Sequence, residues 1–408
     1  MQQRPRTAYI SLWYPKPSET FIFYEMLHMH QLGVPLSAHA LYARLSKGLS
    51  GEMLRETFPV ERFGCGAIGA LSAAFTRELA SNADFRTRIA PLVLRRKWSC
   101  LEKMAENLWA FFCAPALARR FREQGVRHIH AAWANGPATT AWTVSMMTGI
   151  PFSFSARAGD ICPPDGALRE KMEAAAFVRV DSAHNIPYLR GLYPQCADKI
   201  HLVRNPSSWD VCESAPVVMG KRLNILALAR FVATKGLEYL VRAVKILVDE
   251  GLDVRLTLGG SGALETPLRC LALRLGIRER VLFPGFITHD KAPGFIREAD
   301  VFVMPSVVRA NGDRDGLPTV LMEALLHGVP VISTDVGGIR EVVEDGVTGL
   351  LVPQRDPKAL AEAIKRLKND PAGARAMAQA GKRRVEELYD TRRNVEELAG
   401  LFERYALA

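Results

Sequence analysis

The stretch DGLPTVLMEALLHGVPVISTDVGGIREVVEDGVTGLLVP, residues 315–353, decides the fold class of this 408-residue chain. Pro318 is suited to the first turn of a helix, and Asp315 and Gly316 then lie in the loop before that helix. A short apolar strand, a Gly-Gly turn and another helix follow. This order is typical of α/β proteins with parallel sheets.

The same alternation extends over the whole chain. Short apolar runs alternate with longer segments of helical period, which predicts parallel strands joined by helices. The predicted strands cover residues 9–13, 36–41, 128–131, 152–155, 177–181, 200–203, 224–229, 255–258, 281–283, 301–304, 331–333 and 350–352. The predicted helices include residues 236–250, and the tail is helical over 358–369, 373–389 and 393–405.

Composition excludes several classes of protein. Hydrophobic residues make up 48% and charged residues 24%, which are ordinary globular values and exclude collagen, coiled coil and wholesale disorder. We expect neither a signal peptide nor a membrane span, because no uninterrupted apolar stretch is long enough. Seven cysteines without a Cys-x-x-Cys pair indicate neither a zinc site nor a disulfide framework, so we expect a cytoplasmic protein.

The net charge of +10 is concentrated in the first half of the chain. Residues 1–207 carry 25 Lys and Arg against 16 Asp and Glu, whereas residues 208–408 carry 28 against 27. The excess is densest over 77–127, which predicts either an anionic partner or a solvated helical face. We expect peripheral contact with an anionic inner membrane surface rather than nucleic acid, because no recognition motif accompanies the charge. The residues that suggest it are the cations Arg95, Arg96, Lys97, Arg119, Arg120 and Arg122, with the aromatics Trp98, Trp109, Phe111, Phe112 and Phe121.

Candidate site residues follow several predicted strands of the second half. Arg230 and Lys235 follow the strand 224–229, and the turn GGSG at 259–262, which includes Gly260, follows the next. Ligands of open α/β sheets bind beyond the carboxyl ends of the strands, where helix N-termini and glycine turns present N–H groups to anions. Taken alone, an Arg or Lys at a strand end is more often a surface charge, and the GGSG turn could equally be a tight loop.

The loop before Pro318 is more informative. Asp315 precedes the helix and Glu323 lies more than a turn inside it, so two carboxylates flank one helix N-terminus. The helix dipole and the free N–H groups favour an anion there. Carboxylates beside such an anion site are suited to accept hydrogen bonds from sugar hydroxyls.

Residues 315–353 closely resemble the C-terminal signature of family-4 retaining glycosyltransferases of the GT-B fold. The resemblance extends to PKPSETFIFYE (15–25), HIHAAWANGPATTA (128–141) and TGIPFSFSARAGDI (148–161), a pattern of members that build exopolysaccharide and lipopolysaccharide. It implies two Rossmann-like doubly wound α/β domains facing a cleft. The segment 205–220, with two prolines and a serine pair, is the predicted linker. We therefore divide the chain into an acceptor-binding domain (1–207), a nucleotide-sugar-binding domain (208–390) and a helix expected to return to the first domain (391–408).

The resemblance also implies roles for individual residues. Glu323 would bind the ribose hydroxyls, and Asp315 stands at the first carboxylate of the family's E-x7-E motif, which contacts the donor sugar. Arg230 and Lys235 would neutralise the leaving diphosphate in place of a metal. Backbone groups that line the donor are then expected at Gly260, Gly316, Leu317, Thr319 and Val320. The string Asp313-Arg314-Asp315 is formally the DxD metal motif of the unrelated GT-A class, but its position before the phosphate-binding helix argues against a metal site.

Two positions depart from the family pattern. Asp315 replaces the usual Glu, and Arg157 stands where the family has a His near the C6 substituent of the donor sugar. Three interpretations of Arg157 stay open at this point: it binds the carboxylate of a uronate donor, it pairs with Asp160 or Asp165 in its own loop, or the site has lost activity.

The sequence thus predicts a retaining, metal-independent glycosyltransferase without a cofactor. A UDP- or GDP-sugar would donate to a bacterial surface saccharide or a lipid-linked acceptor, and no protein nucleophile is required. The alternatives are a GT-B nucleotide-sugar epimerase and a degenerate, non-catalytic saccharide-binding partner.

Overall fold

The computed structural model describes residues 4–45, 47–55, 57–206 and 219–407. The chain forms two compact units: unit 1 comprises residues 1–206 and 391–408, and unit 2 comprises residues 207–390. Most of the predicted linker, residues 207–218, lies outside the described residues. Within the described ranges, no helix combines the length and the apolar character that a membrane span needs.

Unit 1 is built on a seven-stranded parallel sheet. Its strands are β1 (Thr7–Ser11), β2 (Leu36–Ala40), β3 (Val60–Arg62), β4 (His128–Ala131), β5 (Phe152–Ala156), β6 (Phe177–Val180) and β7 (Ile200–Leu202). The α-helices between them are α1 (Thr20–Gln31), α2 (Gly51–Leu54), α3 (Ile68–Ser81), α4 (Ala90–Leu94), α5 (Leu101–Glu123), α6 (Gly136–Thr148), α7 (Ala158–Ile161), α8 (Leu168–Ala174) and α9 (Asn185–Leu192). The strand order is β3-β2-β1-β4-β5-β6-β7.

Unit 2 contains a six-stranded parallel sheet. Its strands are β8 (Leu223–Leu228), β9 (Val254–Gly259), β10 (Val281–Gly285), β11 (Val301–Met304), β12 (Val331–Thr334) and β13 (Leu350–Val352), in the order β10-β9-β8-β11-β12-β13. Its helices are α10 (Leu237–Asp249), α11 (Glu265–Arg274), α12 (Ala292–Arg297), α13 (Thr319–Leu326), α14 (Pro357–Asn369) and α15 (Pro371–Leu388). The last helix, α16 (Thr391–Tyr405), belongs to unit 1.

The apolar pattern of each element accounts for its place in the core. All four residues of β11 are buried, as expected for a central parallel strand with helices on both faces. Helix α10 buries Leu240, Val241, Val244 and Leu247, whose spacing of three and four places them on one face. In unit 1, α16 packs on α1, and its apolar side chains join a cluster with Met29, Val34, Phe177 and Val203.

The predicted α/β architecture is confirmed. Each of the predicted strands is present, with ends that differ by at most two residues. The sequence analysis missed β3, an edge strand of three partly exposed residues of which only Val60 is apolar.

Each sheet has a point where the strand order reverses direction. It lies between β1 and β4 in unit 1 and between β8 and β11 in unit 2. Neighbouring crossovers leave to opposite sides at such a point, so a crevice opens beyond the carboxyl ends of the strands, where α/β proteins bind ligands.

Candidate functional site

The candidate site of unit 2 lies at the carboxyl ends of β8 and β11. The loop after β8 carries Lys235 immediately before α10, and the loop after β11 carries Asp315 before α13. The Lys235 Nζ lies 3.0 Å from Asp315 Oδ1, and each side chain is 12% exposed. The structure therefore joins two of the predicted site residues in a mostly buried ion pair.

Ser306 holds the carboxylate of Asp315 from the other side. Its hydroxyl donates a hydrogen bond to Asp315 Oδ2 at 2.6 Å, and its carbonyl accepts one from the Thr334 hydroxyl at 2.5 Å. Ser306 is fully buried just after β11. The sequence analysis missed this residue, and its only signal was its place at the end of an apolar strand.

The loop before α13 is packed tightly against the glycine turn after β12. The Gly338 N–H donates to the Gly316 carbonyl at 3.2 Å. At Gly337, φ is +57°, and a Cβ atom there would lie 2.3 Å from the Asp315 carbonyl oxygen. Only glycine allows this approach. The Gly-Gly turn thus fixes the backbone that carries Asp315.

Helix α13 presents its N-terminus beside this loop. Its first residues are Thr319 and Val320, preceded by Gly316, Leu317 and Pro318, and its first turn contains no acidic residue. The first N–H groups of a helix have no acceptor within the helix, and the dipole makes this end partly positive. These groups are therefore suited to hold an anion.

Glu323 and Arg230 differ in their exposure to solvent. Glu323 lies in the second turn of α13 and is only 4% exposed. Arg230 follows β8, is exposed and makes no ion pair within the part of the chain that the structure describes. An exposed cation, Arg230, thus lies in the same loop as Lys235, and a buried carboxylate, Glu323, lies in the helix that follows Asp315.

Gly260 shapes the loop after β9. At its φ of +136°, a Cβ atom would lie 1.8 Å from the Ala229 carbonyl oxygen, so the loop can pack on the residues after β8 only with glycine here. Its N–H donates to the Gly285 carbonyl at 2.8 Å. The amide of Gly260 is therefore engaged within unit 2, and its predicted role toward the donor stays a prediction.

The two carboxylates of the DxD string face different cations. Asp313 lies 3.5 Å from Arg309, whereas Asp315 pairs with Lys235. Within the described ranges, no group of three His, Cys, Asp or Glu side chains is arranged to hold a metal ion. The carboxylates are thus placed for ion pairs with the chain's own cations.

Arg157 makes different contacts from those predicted. It follows β5 in unit 1 and is 4% exposed, and its Nε lies 3.4 Å from Asp181 Oδ2. Asp160 instead accepts the backbone N–H of Arg157 at 2.7 Å, and Asp165 pairs with Lys171 at 2.5 Å. The predicted pairing of the Arg157 side chain with Asp160 or Asp165 is therefore wrong, because the end of β6 places Asp181 at the guanidinium.

The guanidinium group of Arg157 makes further contacts with a backbone carbonyl, an amide and two aromatic rings. One terminal nitrogen donates to the Ala132 carbonyl, and the other donates to Asn205 Oδ1 at 3.3 Å. The rings of Phe21 and Trp133 lie 4.7 and 5.2 Å from the guanidinium carbon. A bidentate contact needs two donors that point together at one carboxylate. Two Arg157 nitrogens thus already donate to different groups of unit 1, and the uronate interpretation stays a prediction.

In the structure, several of the residues at 77–127 that suggested a basic surface are paired with other groups or buried. Arg96 pairs with Glu170, Arg119 with Glu123 and Arg120 with Glu61. The Arg122 guanidinium donates to the Met147 carbonyl. Phe111 and Phe121 are buried in the core of unit 1. Most of the residues that suggested an interfacial surface therefore stabilise the unit itself.

A comparison with protein families identifies the domain that carries the site. The model "Glycosyl transferases group 1" matches residues 215–384. This part of the chain is therefore similar to a glycosyltransferase domain. The predicted glycosyltransferase signature is thereby confirmed at the level of the domain, which contains Arg230, Lys235, Asp315 and Glu323.

Curated relatives match part of the chain. The chain is 34% identical over 184 residues to the amylovoran biosynthesis glycosyltransferase AmsK of Erwinia amylovora, with 45% of each chain covered. It is 38% identical over 165 residues to a GDP-mannose-dependent alpha-(1-6)-phosphatidylinositol monomannoside mannosyltransferase of Mycolicibacterium smegmatis, with 40% of this chain and 43% of the relative covered. The matched parts thus span less than half the length of these relatives.

A solved structure resembles nearly the whole chain. Anabaena HepE, crystallised in complex with UDP and glucose, superposes with a TM-score of 0.71 and 16% identity, covering 97% of this chain and 99% of HepE. At this identity the likeness concerns the fold alone. Two parallel-sheet, Rossmann-like units and this match confirm the predicted GT-B fold class.

Proposed function

We propose that this protein is a retaining, metal-independent glycosyltransferase that transfers a sugar from a nucleotide-sugar to a bacterial surface saccharide or a lipid-linked acceptor. The observation that carries the proposal is the Lys235–Asp315 pair beside the N-terminus of α13, within a glycosyl transferases group 1 domain. The relationship to an amylovoran biosynthesis enzyme supports the acceptor class.

The charges of the site suit the diphosphate of a nucleotide-sugar. In the proposed complex, Lys235 and Arg230 lie on the diphosphate, and the N–H groups at the start of α13 hold its oxygens. Negative charge grows on the leaving phosphate in the transition state, so preorganised cations accelerate the transfer without a metal. Lys235 already has its ammonium group fixed by Asp315, which reduces the reorganisation needed when the donor reacts.

The two carboxylates suit the sugars of the donor. Glu323 is buried in α13 and would accept hydrogen bonds from the ribose hydroxyls, and Asp315 would accept one from the transferred sugar. The acceptor hydroxyl attacks on the leaving-group face, and the departing phosphate oxygen takes its proton. A new glycosidic bond then replaces the bond to the diphosphate with retention, and no protein nucleophile takes part.

The nucleotide base of the donor differs among the similar proteins, so it has to be determined by experiment for this chain. HepE was crystallised with UDP and glucose, whereas the mycobacterial relative is GDP-mannose-dependent. A panel of UDP- and GDP-sugars, with release of nucleoside diphosphate and thermal stabilisation as readouts, tests the proposal. We expect stabilisation by one base and release of its diphosphate in the presence of an acceptor saccharide. Stabilisation without release would favour the binding partner, and formation of a new nucleotide-sugar would favour the epimerase.

Glu323→Ala tests the ribose contact separately from catalysis. Loss of even one charge-assisted hydrogen bond, worth about 1.5–3 kcal/mol, should weaken nucleotide binding by about tenfold to about 150-fold, and loss of two should weaken it further. Isothermal titration with free UDP and GDP measures this change, and Glu341→Ala, a partly exposed carboxylate of the same unit, is the control. Wild-type affinity in Glu323→Ala would remove Glu323 from the donor site.

Addition of EDTA tests the metal independence. We expect turnover to be unchanged, because Lys235, Arg230 and the helix N-terminus supply the positive charge. A strict requirement for Mg²⁺ or Mn²⁺ would contradict the proposal and favour the DxD interpretation of Asp313 and Asp315.

A further inference from the structure

A small face between α4 and α5 exposes apolar side chains next to cations. Leu94, at the end of α4, is 56% exposed, and Leu101 and Met104, in the first turn of α5, are 74% and 37% exposed. Arg95 and Lys97 lie between them and are exposed. We call these five residues the 94–104 face.

The backbone of this segment is held firmly by unit 1. The Ser99 N–H donates to the Asp165 carbonyl at 3.1 Å, and Arg96 pairs with Glu170. The Lys171 ammonium lies 5.8 Å from the Trp98 ring centroid. Arg96 and Trp98 thus face the unit, whereas Arg95 and Lys97 alternate with them and face solvent. The exposed side chains are therefore presented by an ordered segment and not by a frayed end.

The cations of this face differ from those elsewhere in the basic region. Arg95 and Lys97 make no ion pair within the described ranges of the chain, whereas Arg88, Arg119 and Arg120 are paired with carboxylates. Glu102 is an exposed acidic neighbour at the start of α5. On an ideal helix it lies about 100° around the axis from Leu101, while Met104 lies on the same side as Leu101.

We propose that the 94–104 face docks on the anionic surface of a lipid bilayer, a property that goes beyond glycosyl transfer. Arg95 and Lys97 would contact the anionic headgroups, and Leu94, Leu101 and Met104 would enter the boundary of the acyl chains. Binding of this kind adds buried apolar area to electrostatic attraction. A nucleic acid would use the two cations but gain nothing from three exposed aliphatic side chains, so the composition of the face favours lipid.

Co-sedimentation of the full chain with vesicles tests the proposal. The vesicles contain either phosphatidylcholine alone or phosphatidylcholine with phosphatidylglycerol, each at low and at high salt. We expect binding to the anionic vesicles that falls as salt rises, since screening shortens the range of the attraction. Equal binding to both compositions would overturn the proposal, and so would no binding to either.

Matched variants test whether vesicle binding depends on this face, and not on the net charge of the protein or on exposed apolar side chains in general. Arg95→Gln with Lys97→Gln should lower vesicle affinity by about 25-fold, because each cation near an anionic leaflet contributes about fivefold. Leu101→Ser with Met104→Ser should also lower it at unchanged charge. The controls are Arg255→Gln with Arg278→Gln, two exposed cations of unit 2, and Leu273→Ser, a leucine that is 60% exposed. Equal losses in variants and controls would overturn the proposal.

Two further measurements complete the test. Thermal unfolding should show the same midpoint for all variants, because every substituted side chain is exposed. Binding of the wild type to a nucleic acid or an acidic polypeptide, without binding to anionic vesicles, would overturn the lipid assignment and identify a polyanionic partner for the same face.

Discussion

The two sheets of this protein share a topology, but unit 1 buries one of its ion pairs completely, whereas unit 2 leaves the ion pair of its candidate site partly exposed. In unit 1, Arg179 pairs with Glu25 at 2.6 Å, and both side chains are at most 1% exposed. In unit 2, the Lys235–Asp315 pair is 12% exposed on each side, and Arg230 is exposed. A fully buried and mutually paired charge fixes a structure, whereas a partly exposed pair beside an exposed Arg230 can still be reached by a ligand. The comparison indicates why the chemistry is assigned to unit 2.

The largest effect is expected from Glu25→Ala in unit 1. Glu25 Oε1 also accepts the Tyr9 hydroxyl at 2.5 Å, so the substitution leaves both Tyr9 and the buried Arg179 without this partner. We expect a loss of about 3–5 kcal/mol in the free energy of unfolding, measured by urea denaturation.

A double variant checks the physical reason for that loss. Glu25→Leu combined with Arg179→Met removes both charges at similar volume and should recover much of the stability. A loss below about 1 kcal/mol in Glu25→Ala would show that this pair does not hold unit 1 together.

Lys235→Ala should have the next largest effect, on turnover. It removes the positive charge from the proposed diphosphate position and leaves Asp315 unpaired beside an anionic substrate. Loss of one preorganised electrostatic donor costs about 10²–10³-fold in kcat. Arg230→Ala should cost less, because the exposed guanidinium is screened by solvent. Steady-state kinetics of the two variants would contradict the assignment if Arg230→Ala were the more damaging.

Ser306→Ala should have a smaller effect on the same site. Asp315 keeps its pair with Lys235 but loses the hydrogen bond from the hydroxyl, which is worth about 1.5 kcal/mol to a charged acceptor and so about tenfold in turnover. Ser333→Ala is the matched control, since Ser333 is fully buried and donates to the Met304 carbonyl at 2.6 Å, not to Asp315. If both variants lowered turnover equally, Ser306 would have only a structural role.

Arg157→His should leave donor preference unchanged. The guanidinium contacts Asp181, Asn205 and Ala132 within unit 1, so a uronate would have to compete with these partners for it. Competition between a uronate donor and the matching neutral hexose donor measures the preference in the wild type and the variant. A shift toward the neutral hexose in the variant would contradict this expectation and support the uronate interpretation.

Much of the fold could be predicted because parallel strands buried on both faces are continuous apolar runs. The edge strand β3 was not predicted, because Val60-Glu61-Arg62 has no such run. The candidate residues after β8 and β11 were predicted from their motifs, but their pairing was not. No local pattern shows that Lys235 faces Asp315, since only the sheet order places β8 beside β11. The partner of Arg157 escaped for the same reason, because Asp181 follows the adjacent strand β6.

The place of α16 has a consequence for how the protein is made. Its residues Val395, Leu398 and Phe402 complete a core cluster with Met29 and Phe177, yet all of unit 2 precedes them in the chain. The whole of unit 2 is therefore synthesised before the core of unit 1 can be completed. Domains commonly fold in the order of their synthesis. Here unit 2 can finish first, and unit 1 must keep an apolar surface open until the last helix emerges.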